Sequence, residues 1–464
     1  MDSVSNVEGD AVQPASPATE QPQAEPQSVP SLTPHVYRVG SQGREFSKES
    51  DLKPDTLRKQ IEPWLTAVFQ SEHLSLLLGC GFTAGVAAAA GGTAASMEKC
   101  QWPADCQLTD KVDQHAQESA KVCGRGAANF EDQLRVAMRL HAGLAIMDDA
   151  QAKKWSNAIN ARLREFMLLV LASERSIVDG ADRTRSEELL VSFLLSFASR
   201  AAARERLNLF TTNYDRVVEH GCDLVGLHVL DRFVGALSPV FRSSRLSVDM
   251  HYNPPGMRGE PRYLEGVIRL SKLHGSLDWR WLESELIRVG LPFGADKKHP
   301  AIPKEPFDSV MIFPNAAKDV ETLDYPYAEL FRDFAASICR PNSSLVTYGY
   351  GFGDDHINRV IADMLTIPST HLVIVARDTP NPVKPDDASN AGRQRIIRFC
   401  AEVGRRAQIS LLLGGHFGDL ATLVEYYLPK PAIDQITFRK AELEERRGFA
   451  HGHVSGEEHG KQAD

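Results

Sequence analysis

Short runs of consecutive apolar residues alternate along this chain with longer stretches in which apolar residues return every three or four positions. The runs at Leu74–Leu78, Leu207–Thr211, Val267–Leu273, Val310–Phe313, Ser344–Tyr348, His371–Ala376 and Gln408–Leu413 predict strands. Between them, Phe130, Leu134 and Met138, then Trp155, Ile159, Leu163 and Phe166, then Leu189, Phe193 and Phe197, and last Leu330, Phe334 and Ile338 predict helices. Near-continuous apolar strands alternating with helices predict an α/β fold, with a mostly parallel sheet covered by helices on both faces. Ligands of such sheets sit at the carboxyl ends of the strands.

The pattern fades at both ends. Residues 1–37 hold six Pro, five acids (Asp2, Glu8, Asp10, Glu20, Glu25) and no Lys or Arg among Gln, Ala and Ser. They are expected to be a disordered acidic tail. They lack the positive start and apolar core of a secretory signal. From about Arg439 to residue 464 a charged segment runs into a Gly, His and Glu-rich end, whose His451 and His453 read as surface residues. The ordered domain is expected over residues 54–428, with an irregular insertion at about 90–129 and no internal repeat. Leu74 to Ser96 carries no charge, but its second half is weakly apolar and broken by glycines, so it reads as a buried strand entering a glycine turn rather than a membrane span.

Composition narrows the function. Of 464 residues, 42% are apolar and 33 are Gly, enough for a sizeable core and too many for a wholly disordered chain. Lys plus Arg number 52 against 61 Asp plus Glu, a net charge of -9, which argues against holding nucleic acid by an overall field. Seven Cys with no C-x-x-C pair form neither a disulfide framework nor a zinc module, and fit a reducing, cytoplasmic setting.

The candidate chemistry gathers where predicted strands end. Gly79-Cys80-Gly81-Phe82-Thr83-Ala84 satisfies G-x-G-x-x-A, which suits a backbone close to a pyrophosphate and equally a tight turn; the acid expected about 20 residues later is not evident. Thr211-Thr212-Asn213-Tyr214-Asp215-Arg216 sets an amide and a carboxylate two residues apart, able to grip ribose hydroxyls or position water, or simply to cap a helix. In Lys272-Leu273-His274-Gly275-Ser276-Leu277-Asp278-Trp279, His274 is placed to act as a general base, though a single His is more often structural. Gly349-Tyr350-Gly351-Phe352-Gly353-Asp354-Asp355-His356-Ile357-Asn358 makes a close-approach loop at a helix start, and Leu413-Gly414-Gly415-His416-Phe417-Gly418-Asp419 repeats the strand-then-glycine logic. Five such turns suggest a nucleotide cleft.

In this order, from about Pro54 to Leu428, the clusters resemble the sirtuin-like NAD-consuming superfamily, in particular its prokaryotic branch of anti-phage defence. Gly79-Cys80-Gly81-Phe82-Thr83 stands for that family's G-A-G-x-S turn, Thr211 to Asp215 for T-x-N-x-D, and Lys272 to Ser276 for its H-G turn. Gly349 to Asn358 is similar to the bacterial G-Y-S-F-x-D-x-H-I-N loop, and Asn129-Phe130-Glu131-Asp132 to an acidic helix start of the branch.

The resemblance implies a Rossmann-like domain that takes NAD+ as substrate and breaks its nicotinamide–ribose bond, with no metal. Asn213 would hold ribose and water, His274 would accept a proton, and Asp215 would support them. Gly79, Gly81, Phe82 and Thr83, with Thr212, Gly275 and Ser276, would line the dinucleotide; Gly349, Gly351, Asp354, His356 and Gly414 would take its ribose and adenine side. Cys100 and Cys106, with Cys123 distant, do not match the paired zinc cysteines of protein deacylases, which favours NAD+ hydrolysis or cyclisation over NAD-dependent deacylation; the presence of both Asn213 and His274 disfavours a non-catalytic NAD- or ADP-ribose-binding scaffold. The branch further implies a homo-oligomer beside a separate HerA-type ATPase or translocase; nothing here reads as a P-loop, so any ATP hydrolysis would belong to another chain. Direct nucleic-acid and membrane contacts are not expected.

Overall fold

The structure is a computed structural model that describes residues 31–40, 42–122, 126–200, 204–244, 248–252, 262–307, 309–312, 325–384 and 387–430. Its strands are β1 (His35–Val39), β2 (Gln42–Phe46), β3 (His73–Leu78), β4 (Leu207–Thr211), β5 (His228–Leu230), β6 (Phe233–Val234), β7 (Val240–Phe241), β8 (His251–Tyr252), β9 (Arg262–Tyr263), β10 (Val267–Lys272), β11 (Gly275–Leu282), β12 (Glu285–Arg288), β13 (Val310–Ile312), β14 (Ser343–Tyr348), β15 (His371–Ala376) and β16 (Ile409–Leu413). Its main helices are α1 (Pro54–Phe69), α2 (Cys80–Ala89), α3 (Thr109–Val122), α4 (Phe130–Ile146), α5 (Gln151–Val178), α6 (Arg183–Ala198), α7 (Val217–Val225), α8 (Tyr327–Ile338), α9 (Asp355–Met364) and α10 (Ala391–Val403).

Nine strands form the main sheet, in the order β2-β1-β16-β15-β14-β3-β4-β10-β5. From β16 to β5 every neighbouring pair is parallel, and β1 and β2 complete one edge antiparallel. The α/β expectation holds: a large, mostly parallel Rossmann-like sheet lies between two helical layers. One face packs on α1, α2, α6 and α7, where Leu57, Ile61, Leu65 and Phe69 of α1 repeat every fourth residue toward the core. The other packs on α8, α9 and α10 through residues such as Phe334, Ile361 and Phe399. The chain leaves β3 toward β4 on one side, while β14, β15 and β16 fill the other. A crevice therefore opens at the carboxyl ends of β3, β14 and β4, the switch point where such sheets take ligands.

A third apolar cluster, built on α4 and α5 around Trp155, Phe130 and Phe166, stands over that crevice and includes Tyr214 and Leu277. Asn129 starts α4 through a reciprocal capping box: its side chain accepts the Asp132 amide at 3.0 Å, and the Asp132 carboxylate accepts the Asn129 amide at 3.1 Å. The insertion near residues 90–129 contains α3, which lies against α4.

Two sequence expectations change. Val310–Phe313 does not join the main sheet: β13 pairs antiparallel with β11 in a five-stranded sheet of order β13-β11-β12-β7-β6, and Phe313 lies outside the described residues. A three- or four-residue apolar run specifies burial, not partner. The expected tail also overlaps structure, because His35–Tyr37 belong to β1, with Val36 in the core. The buried Arg393 anchors this segment, donating to the carbonyls of Ser31 (3.0 Å), Thr33 (2.8 Å) and Pro34 (3.4 Å) while pairing with Asp378. Residues 1–30 and the charged segment 439–464, with His451 and His453, lie outside the described residues. Leu74–Leu78 is buried strand as expected, but α2 follows Gly79 directly, and among the described residues no helix is long and apolar enough to cross a membrane.

Candidate active site

The crevice encloses a cavity of about 250 Å³. Each strand around it ends by delivering a side chain or turn: Gly79 after β3, Thr212, Asn213 and Asp215 after β4, His274 after β10, and Gly351 with Asp354 after β14. Thr83, one turn into α2, also lines it. The wall opposite comes from the insertion, with Ala94 and Met97, and from α4 and α5, with Glu131, Phe166 and Val170.

Asn213 is held by two side-chain hydrogen bonds. Its Nδ2 donates to the Gly79 carbonyl at 3.0 Å and to Thr83 Oγ1 at 2.9 Å. Both amide hydrogens are therefore used, and the group that Asn213 can offer a ligand is its carbonyl oxygen, Oδ1. Thr83 relays this order, because its hydroxyl donates onward to Asp215 Oδ2 at 2.7 Å. Asp215 Oδ1 accepts the Val217 amide at 3.2 Å, so both carboxylate oxygens are engaged in holding the loop and the start of α7. Support, rather than direct chemistry, is the role this geometry gives Asp215.

The loop after β4 is fixed from beneath by buried charges. Glu174 of α5 accepts from the Arg216 amide (2.9 Å), Nε (3.1 Å) and Nη2 (2.6 Å), and from the Gly294 amide (3.0 Å). Lys272 Nζ donates to the Asp215 carbonyl and to Glu219 at 3.1 Å. Tyr214 points the other way, donating to Glu131 Oε1 at 2.7 Å. Burial, and then the adjacent Glu131 carboxylate, push the Tyr214 phenol well above its ordinary value, so it stays a donor. The Tyr214 carbonyl accepts the Leu277 amide at 3.0 Å, which ties this loop to the turn carrying His274. The His274 ring is buried, 6.3 Å from the Tyr214 ring and 5.7 Å from that of His356.

Several residues expected at the site stand behind it. A Cβ on Gly79 would meet the Gly349 carbonyl oxygen at 2.5 Å, and one on Gly81 would meet Gly349 Cα at 2.7 Å. These glycines let the β3 and β14 turns pack back to back, a stronger constraint than approach to a ligand, and Gly81 and Gly349 do not line the cavity. Phe82 is core, against Phe193 and Tyr348. Gly275, at φ +89°, and Ser276 are buried at the start of β11 and shape the turn after His274. His356 packs between His274 and Phe331. Gly414 is covered by the N-terminal segment, since a Cβ there would meet the Pro34 carbonyl at 2.0 Å.

Other lining residues carried no assigned role in the sequence. Glu131 stood only in a helix-start motif, and Arg395 of α10 in no motif; its Nε donates to the Gly351 carbonyl at 2.7 Å. Cys80 opens to the cavity, and burial, then Asp354, push its thiol up. Among the described residues no group of three or more His, Cys, Asp or Glu side chains is arranged to hold a metal ion.

A crevice of this kind defines an α/β protein with a ligand site at its topological switch point. Residues 207–399 match the family model described as a SIR2-like domain, which supports the sirtuin-like family and NAD-related activity. The matched stretch runs from β4 into α10 and contains Asn213, Asp215, His274, Asp354 and Arg395; Gly79, Thr83 and Glu131 precede it. No curated protein matches the chain.

Proposed function

We propose that this chain is an NAD+ glycohydrolase, the effector of an anti-phage defence system. The observation that carries the reading is the Asn213–Thr83–Asp215 network beside His274 in one switch-point cavity. In the reaction, water attacks C1′ of the nicotinamide ribose and the C1′–N bond breaks. Its electron pair returns to the ring nitrogen, and neutral nicotinamide leaves. His274 accepts the proton that the water loses. The transition state is an oxocarbenium-like sugar, which favours acceptor dipoles over cations at C1′. Asn213 Oδ1, locked by its two donor contacts, is such an acceptor and can hold the attacking water or a ribose hydroxyl.

At about 250 Å³ the cavity falls just below the roughly 300 Å³ of sites that enclose drug-sized ligands, which suits the nicotinamide riboside half of the dinucleotide. The defence role, a cytoplasmic homo-oligomer and a separate HerA-type ATPase partner are supported by the ordered motifs alone. Incubating the purified chain with NAD+, with and without its genomic neighbour, tests the activity. Release of nicotinamide without any acyl-lysine peptide supports hydrolysis, whereas release only in the presence of such a peptide assigns the site to deacylation.

A further inference from the structure

The charges around the cavity are unevenly placed. Glu131, Asp215 and Asp354 contribute carboxylates, while Arg395 is, among the described residues that line it, the one guanidinium or ammonium. A dinucleotide brings two phosphate charges, which three carboxylates would repel. Among the described residues that line the cavity, Arg395 is the side chain whose permanent positive charge can offset that repulsion.

Its position is built. Nε donates to the Gly351 carbonyl at 2.7 Å, which ties the guanidinium to the glycine loop after β14. Cys80, the first residue of α2, lines the same cavity. The start of α2 is the end of that helix that favours anions. Arg395 also lines a second cavity of about 460 Å³ between α9 and α10, together with Arg359 and Arg398, so it stands on the wall shared by the two spaces. A phosphate there would leave the riboside half toward Asn213 and His274 and away from the guanidinium, as an oxocarbenium-like centre requires.

We infer that Arg395 is the residue that recognises the phosphate groups of the dinucleotide, and so sets the direction in which the substrate lies. This rests on the NAD+ reading of the site. A guanidinium presents paired donors suited to a phosphate, which Lys reproduces only as a point charge.

The test compares Kd by calorimetry for NAD+ and for nicotinamide riboside, which has no phosphate, in wild type, Arg395→Gln and Arg395→Lys, with a thermal melt of each. Loss of charged hydrogen bonds predicts NAD+ binding weaker by about 10- to 100-fold in Arg395→Gln, an intermediate loss in Arg395→Lys, and riboside binding within about twofold of wild type. An unchanged NAD+ affinity in both variants, or equal losses for NAD+ and riboside, overturns the inference while leaving the NAD+ reading intact. Should Arg395→Gln not fold, Arg395→Lys alone decides between the same outcomes. No NAD+ binding by wild type refutes the functional reading, and this inference with it.

Discussion

Replacing Gly79 with Ala tests the back-to-back packing that builds the cavity floor. The backbone of Gly79 is extended, at φ -106°, so alanine meets no conformational penalty and the effect is purely steric. Its Cβ would lie 2.5 Å from the Gly349 oxygen, 2.6 Å from Tyr350 Cα and 2.9 Å from the Gly349 carbon, all backbone atoms that cannot rotate away. With ordinary contact beginning near 3.4 Å, the two turns must part by about 0.9 Å. Overpacking of this kind costs about 1–3 kcal/mol. Parting the turns also stretches the hydrogen bond from the Gly81 amide to the Gly349 carbonyl, now 3.1 Å, for about 1 kcal/mol more. An unfolding entropy of about 2 cal/mol/K per residue over roughly 400 residues gives about 0.8 kcal/mol per degree, so Tm falls by about 2–5 °C. Differential scanning calorimetry reads this, with Gly143→Ala as control: a Cβ at that position of α4 would have nothing within 4 Å, and the change should raise Tm by about 1 °C. A Gly79→Ala protein that melts with wild type refutes the packing, and with it the account of how Asn213 finds its acceptor.

Three further outcomes follow from the same geometry. Glu174→Gln leaves Arg216 without its buried carboxylate, so denaturant unfolding should show a loss of about 3–5 kcal/mol; a loss under 1 kcal/mol would remove Glu174 from the support of the β4 loop. Burial alone would raise the Asp249 carboxyl, but hydrogen bonds from Arg206, Arg269 and the Met250 amide outweigh it and hold the group below the usual carboxylate range. Its stabilisation is therefore present above about pH 4 and lost as pH falls through the lowered value, so Asp249→Asn should cost about 1–3 kcal/mol at pH 7 and progressively less below pH 4 in urea titrations; a pH-independent difference contradicts this. Because its thiol is pushed up, Cys80 should alkylate with iodoacetamide at pH 7 more slowly than a free thiol, and more slowly still with NAD+ present; peptide mapping showing rapid labelling indifferent to NAD+ would place Cys80 outside the site.

What could be read from the chain beforehand was what is contiguous in it. The apolar runs of β3, β4, β10, β14, β15 and β16 mark buried parallel strands, and the polar residues straight after them, Asn213, Asp215 and His274, face one crevice because parallel strands end on one side. The antiparallel strands β6, β7 and β12 are too short to leave a period. Arg395 was invisible for a different reason: a helix period shows which face is buried, not which cavity its boundary residue overlooks. Gly79 and Gly81 show the complementary limit. Glycine is required at both, but the atom that requires it, in Gly349, lies some 270 residues away in the chain.

The central claim is tested most directly by NAD+ consumption in wild type, Asn213→Ala and His274→Ala, measured alongside NAD+ affinity for each. The account predicts nicotinamide and an ADP-ribose product from wild type, alone or with its partner. Both variants should lose at least about 100-fold in turnover while still binding NAD+. Wild type that binds NAD+ without consuming it under any of these conditions, or variants that turn over as wild type does, would contradict it.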